Sequence, residues 1–101
     1  MKRYKVEPDT MWKVLTGTEH SEATGMVLDP GESTGGPDNR HRLSDQWMFV
    51  IRGRGEAIVE SQRVDLNERT LLLIEAGEAH EIRNIDDQPL EAINFYAPGA
   101  Y

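Results

Sequence analysis

The sequence predicts an all-β fold, a sandwich or barrel in a single domain, and three observations predict it. Short runs rich in apolar, β-branched and aromatic residues recur along the chain, each closed by a turn signal. No window sustains the 3.6-residue period of a long amphipathic helix. Nine glycines and five prolines are spread over the 101 residues, which suits many tight reversals. A chain of this length can bury one core but not two. We therefore read residues 1–101 as one domain, with an N-terminal arm at 1–10 and a barrel at about 11–97.

Composition excludes several classes of function. The chain has no cysteine, so disulfides and thiolate metal sites are ruled out. The lack of thiols fits a reducing compartment, and the expected location is cytoplasmic. A net charge of −7 argues against nucleic acid or an anionic membrane surface as partner. No apolar run approaches the roughly 18 residues of a spanning helix. The basic start, Met1-Lys2-Arg3-Tyr4-Lys5, has no apolar run behind it and is not a signal peptide.

In chain order, Tyr4 and Val6 could add an edge strand before the turn at Pro8-Asp9. Met11 to Leu15 reads as a strand, residues 16–21 as a polar loop carrying a solvated His20, and Ala23 to Asp29 as a second strand ended by Pro30-Gly31. Gly31 to Arg42 contains no apolar residue and reads as a loop over one end of the barrel. Gln46 to Ile51 is the most apolar strand of the first half. With the return Gly55 to Glu60 it is expected to form a hairpin about Arg52-Gly53-Arg54-Gly55. Arg63 to Leu66, Thr70 to Ile74 and Leu90 to Ala97 complete the strands, and Pro98-Gly99 stops the last.

The chain is organised around residues 71–84. Four apolar residues, Leu71 to Ile74, run into a turn at Gly77, and a strand leaves it. Side chains alternate between the faces of a strand, so His80, Ile82 and Asn84 share one face while Glu81 and Arg83 share the other. An inward imidazole and an inward carboxamide are costly unless they are hydrogen-bonded or ligated.

These residues resemble a family. Gly77-Glu78-Ala79-His80-Glu81-Ile82-Arg83-Asn84 is similar to the second half-motif of the cupins, Pro-x-Gly-x-x-His-x-x-x-Asn. The place of Asn84 in the motif that these residues resemble implies a brace for the local backbone rather than a contact with ligand. The first half-motif is recognisable but degraded: Gln46 stands where the family usually has Glu, His41 falls on the second histidine position and Asn39 on the first. Glu75 replaces an expected proline and Arg69 an expected turn glycine. The resemblance implies a cupin-type double-stranded β-helix, a jelly-roll barrel, over roughly residues 20–97. Its metal positions would be Asn39, His41, Gln46 and His80. Two neutral carboxamides there replace an imidazole and a carboxylate, which removes the negative ligand. Asp45 is the nearest carboxylate, but alternation sends it outward if Gln46 points in.

The expected ligand pocket comprises Asn39, His41, Gln46, Met48, His80, Asn94 and Tyr96. Two readings stay open. In the first, a divalent transition metal (Zn, Mn, Fe, Ni or Cu) sits in the pocket of an enzyme; the resemblance implies dioxygenase, isomerase or decarboxylase chemistry, and the residues pick out none of these. In the second, the barrel is a metal-free module that binds a small molecule or oligomerises. A purely structural domain is a weaker third. Trp47, Phe49 and Ile51 alternate with the inward set, and this outward row is the expected face of a homodimer. The arginines around His41 and Gly53 (Arg40, Arg42, Arg52, Arg54) read as a solvated rim.

Overall fold

The structure, a computed structural model, describes residues 1–7, 11–36 and 41–101. Among these residues there is no helix, and nine strands form: β1 (Trp12–Gly17), β2 (Glu22–Leu28), β3 (Ser33–Gly35), β4 (Asp45–Arg52), β5 (Gly55–Val59), β6 (Gln62–Leu66), β7 (Leu71–Ile74), β8 (His80–Arg83) and β9 (Leu90–Ala97). All pairings are antiparallel. One sheet has the order β1-β2-β9-β4-β7 and the other β3-β8-β5-β6. The two are layered as a jelly-roll barrel, the all-β class expected from the sequence.

The pleat explains the layering. On β4, Gln46, Met48 and Val50 are buried, while Asp45, Trp47 and Ile51 are exposed and Phe49 is half-buried. β2 and β9 supply Met26, Leu28, Leu90 and Ala92 to the same interior, and β5, β6 and β8 supply Ala57, Leu66 and Ile82 from the facing sheet. Removing these apolar side chains from water is the main stabilising term, about 25 cal/mol per Å².

The expected hairpin between Gln46–Ile51 and Gly55–Glu60 does not form. β4 and β5 lie in different sheets, and Arg52–Arg54 carries the chain from one layer to the other. Gly53 has φ +88°, and a Cβ there would collide with the carbonyl oxygen of Pro89. The glycines therefore mark a crossing point packed against β9, not a free turn. The hairpin actually made is β5–β6, closed by Glu60 and Ser61 with φ 47° and 68°. It lacks glycine, which is why it carries no turn signal.

Other corrections are smaller. β1 extends through Thr16 and Gly17, which read as loop, because they pair with Ala23 and Glu22. Ser33–Gly35 forms a short strand on β8 inside the stretch read wholly as loop. Tyr4 and Val6 form no strand; the arm is tied to β1 by Lys2 Nζ donating to the Gly17 carbonyl and by Lys13 over the Tyr4 ring. Arg69 occupies its turn at φ 69°, the left-handed conformation for which glycine is the usual choice.

Candidate functional site

The site lies at one end of the barrel interior, and strand register assembles it. Gln46 on β4 stands opposite Tyr96 on β9, Met48 stands opposite Asn94, and Asn94 stands opposite Thr24 on β2. All five side chains are buried. Gln46 Nε2 donates to Asn94 Oδ1 at 3.1 Å, and Asn94 Nδ2 donates to Thr24 Oγ1 at 3.3 Å. Neighbouring strands thus hold a hydrogen-bonded row across the sheet. The row ends on an orphan: among the described residues, buried Gln46 Oε1 has no hydrogen-bond partner. Leaving such an acceptor unmet costs about 1–3 kcal/mol.

His80 enters from β8, on the facing sheet, and is 5% exposed. Its Nδ1 lies 3.1 Å from the Glu78 carbonyl oxygen, which places the proton on Nδ1 and makes Nε2 the basic nitrogen. His41 comes from the segment before β4. Its carbonyl accepts from Gly77 N at 2.8 Å, which fastens that segment to the turn before β8. The two imidazole centroids are 5.3 Å apart. Both rings are pushed below the usual histidine range: His41 by burial and then by His80, and His80 by burial that outweighs the favourable Glu78 carbonyl. Both are therefore neutral at pH 7. Burial raises the Tyr96 hydroxyl far above its ordinary value.

Tyr101 was not expected in the site, yet it lies across the mouth. Its hydroxyl is 3.1 Å from His41 Nε2. Its ring meets Trp12, Tyr96 and His41 edge-on at 4.7, 5.3 and 5.3 Å. Beneath it the cavity measures about 30 Å³, room for one or two waters. The walls include Trp12, Thr34 and Ile82 as well as Met48, Asn94 and Tyr96. The signal for Tyr101 was Pro98-Gly99, which reverses the chain where the last strand ends; it was read only as a stop. A larger concavity of about 550 Å³ lies elsewhere, between Arg52, Arg54, Glu68 and Gln88. It is an open groove where no buried polar groups converge, so the small interior cavity is the candidate site despite its size.

Of the expected pocket residues, His41, Gln46, Met48, His80, Asn94 and Tyr96 come together around that cavity. Asn39 lies outside the described residues. Asp45 is exposed and spends Oδ1 on Ala76 N at 2.9 Å, so it caps a turn and supplies no ligand. Glu78 likewise turns away, accepting from Glu75 N at 2.7 Å. Asn84 braces the backbone: Nδ2 donates to the carbonyls of Leu28 and Gln88, each at 2.8 Å, and Oδ1 accepts from Asp86 N. His20 is exposed beside Glu19.

The donor set tests the metal reading. Among the described residues no three His, Cys, Asp or Glu side chains gather to hold an ion. What converges is two neutral imidazoles and one amide oxygen. Carboxamide is a weak donor, and no anion offsets the charge of a divalent cation. Among the described residues the set therefore offers a divalent ion two imidazole donors and one weak oxygen donor, with no carboxylate.

Residues 25–96 match the sequence pattern of the family described as "Cupin domain". Solved structures share the fold. A Bacillus halodurans protein is 27% identical over 90% of this chain and 72% of its own, with a TM-score of 0.84. An RmlC-like cupin family protein with a double-stranded β-helix fold from Methanocaldococcus jannaschii is 25% identical over 97% of this chain and 91% of its own, with a TM-score of 0.82. KdgF from a Halomonas species is 21% identical over 97% and 87%, with a TM-score of 0.79, a likeness of fold alone. No curated protein matches the chain. Among the described residues no helix is long and apolar enough to cross a membrane.

Proposed function

Since the chain belongs to the cupin family, with its pattern matched over residues 25–96, the barrel interior is where its chemistry should be sought, and we propose that this interior binds a small uncharged molecule through hydrogen bonds. One observation carries the reading: Gln46 Oε1, buried and without a partner among the described residues, beside a cavity that also holds two neutral imidazoles. A buried acceptor calls for a donor. An incoming N–H or O–H meets it, and neutral His41 and His80 add a donor or acceptor as tautomer allows. A carboxylate ligand is disfavoured, because no described cation lines the cavity. The test is calorimetric titration with a panel of small amides, alcohols and carboxylates. Uncharged donors should bind wild type, and Gln46→Met should abolish that binding. Binding of carboxylates alone, or affinity unchanged in Gln46→Met, overturns the reading.

A metal-bearing site is the second reading, favoured by the His41–His80 pair at 5.3 Å. Those two rings would hold the ion, which would supply Lewis-acid polarisation of a bound oxygen. Metal analysis of chelator-free protein, repeated on His41→Ala and His80→Ala, separates the readings. Gln46→Glu should strengthen metal affinity if that side chain faces the ion.

The outer faces support a proposal about assembly. The outer face of the four-stranded sheet is charged, with Glu56 paired to Arg63 and Arg83, and Arg83 also to Glu81. The outer face of the five-stranded sheet is apolar: Trp47 is flanked by Leu73 on β7 and Phe95 on β9, and Phe49 by Leu71 and Ile93. A second copy is the occupant we propose. Pairing two copies there would take this apolar row out of water. Light scattering should give a dimer that Trp47→Lys dissociates; a monomer at high concentration refutes it.

A further inference from the structure

Tyr101 sits where a ligand would have to enter. Its ring is held by three aromatic edges, its hydroxyl by His41 Nε2, and its backbone by β2: Ala100 N and Tyr101 N both bond Glu22 Oε1, at 3.3 and 2.9 Å. Tyr101 as a residue is nonetheless among the more exposed large ones, at 61%. It lies over the cavity and does not fill it. The roughly 30 Å³ beneath it is too small for any organic ligand, so the mouth must open before one binds.

We propose that Tyr101 is a tethered stand-in for the ligand, and that the pocket takes a small neutral phenol-class molecule whose ring displaces the Tyr101 ring and whose hydroxyl takes over its contact with His41. The inference rests on the small-molecule reading above and names the ligand class for that site. Its basis is the chemistry Tyr101 already satisfies. The edges of Trp12 and Tyr96 suit a planar ring, because aromatic rings favour edge-to-face packing. His41 Nε2, 3.1 Å from the Tyr101 hydroxyl, is already placed to meet a phenol hydroxyl. Glu22 is the latch, because it holds the backbone of the strap, while the amide row runs separately through Gln46, Asn94 and Thr24. A self-occupied site lowers apparent affinity by the fraction of molecules in which it is open.

The probe is 4-methylphenol, the tyrosine side chain itself, titrated into wild type, Tyr101→Ala and Tyr101→Phe and followed through the Trp12 indole resonance. Tyr101→Ala should bind about tenfold or more tightly than wild type, as a lid closed nine-tenths of the time implies. Tyr101→Phe keeps the ring but loses the His41 contact and should fall between them. It also covers the case in which the alanine variant folds poorly. Acetamide, an uncharged donor without a ring, is run in parallel. Equal 4-methylphenol affinity in all three proteins overturns the stand-in. Acetamide binding without 4-methylphenol binding in Tyr101→Ala overturns the phenol class but leaves the pocket reading intact. Failure of both probes in a folded Tyr101→Ala overturns the two together.

Discussion

The two ends of the barrel interior are built from the same strands and differ in chemistry. Along β4 the inward row runs Gln46, Met48, Val50; along β9 it runs Tyr96, Asn94, Ala92, Leu90; along β2 it runs Thr24, Met26, Leu28. Antiparallel register stacks the polar members at one end and the aliphatic ones at the other. At the dry end Leu28, Val50, Leu66 and Leu90 are fully buried. At the polar end Thr24, Gln46, His80 and Asn94 are as well sealed from water but depend on hydrogen bonds instead. Two buried asparagines sharpen the contrast. Asn84 spends all its bonds on backbone, whereas Asn94 accepts from Gln46, whose own Oε1 is left unmet among the described residues. One end is held by aliphatic packing, and the other by hydrogen bonds that leave one buried acceptor unmet among the described residues.

That contrast can be broken at several points. Leu28→Ala at the dry end should lower stability by about 2–5 kcal/mol, read from denaturant midpoints at unchanged slope. A loss below about 1 kcal/mol would mean that the dry end collapses to fill the space. Asn84→Ala strands the carbonyls of Leu28 and Gln88 and the amide of Asp86, and should cost about 2 kcal/mol by the same measurement. Gln46→Met should change stability by no more than about 1 kcal/mol, since it removes one orphan and uncovers another at Asn94, while ligand binding is lost. A large loss of stability there would place Gln46 with the structural residues.

The smallest effect is on pH dependence. The folded His41 and His80 titrate below 6.5 and the unfolded chain near it. On acidification the unfolded state takes up protons first, so their contribution is intact above pH 6.5 and is lost as pH falls from 6.5 toward the folded values. Denaturation at pH 7.5 and 5.5 should show wild type losing more stability than His41→Gln, and NMR titration should put both imidazole midpoints below 6.5. Midpoints above it would mean that the polar end is open to solvent.

Much of the site was readable before the fold. The alternation about His80, Ile82 and Asn84 pointed inward, as did Gln46 with Met48, because neighbouring side chains on a strand must take opposite faces. The outward course of Asp45 and Trp47 came from the same rule, and the bracing role of Asn84 from the resemblance to the cupin motif. The crossing at Gly53 was misread as a hairpin because a glycine turn looks alike whether its strands pair or part. The β5–β6 reversal at Glu60–Ser61 was missed because no glycine marks it.

By itself the sequence determined which side chains face the interior and that one barrel with a half-degraded cupin motif would hold them. Strand alternation is a property of the local backbone and needs no partner. Only the tertiary structure decided that β4 and β5 part into separate sheets, that Gln46 finds Asn94 and leaves Oε1 unmet, and that Tyr101 closes over His41. Those outcomes follow from which distant segments pack with least void and fewest unpaired polar groups, a balance struck across the whole chain.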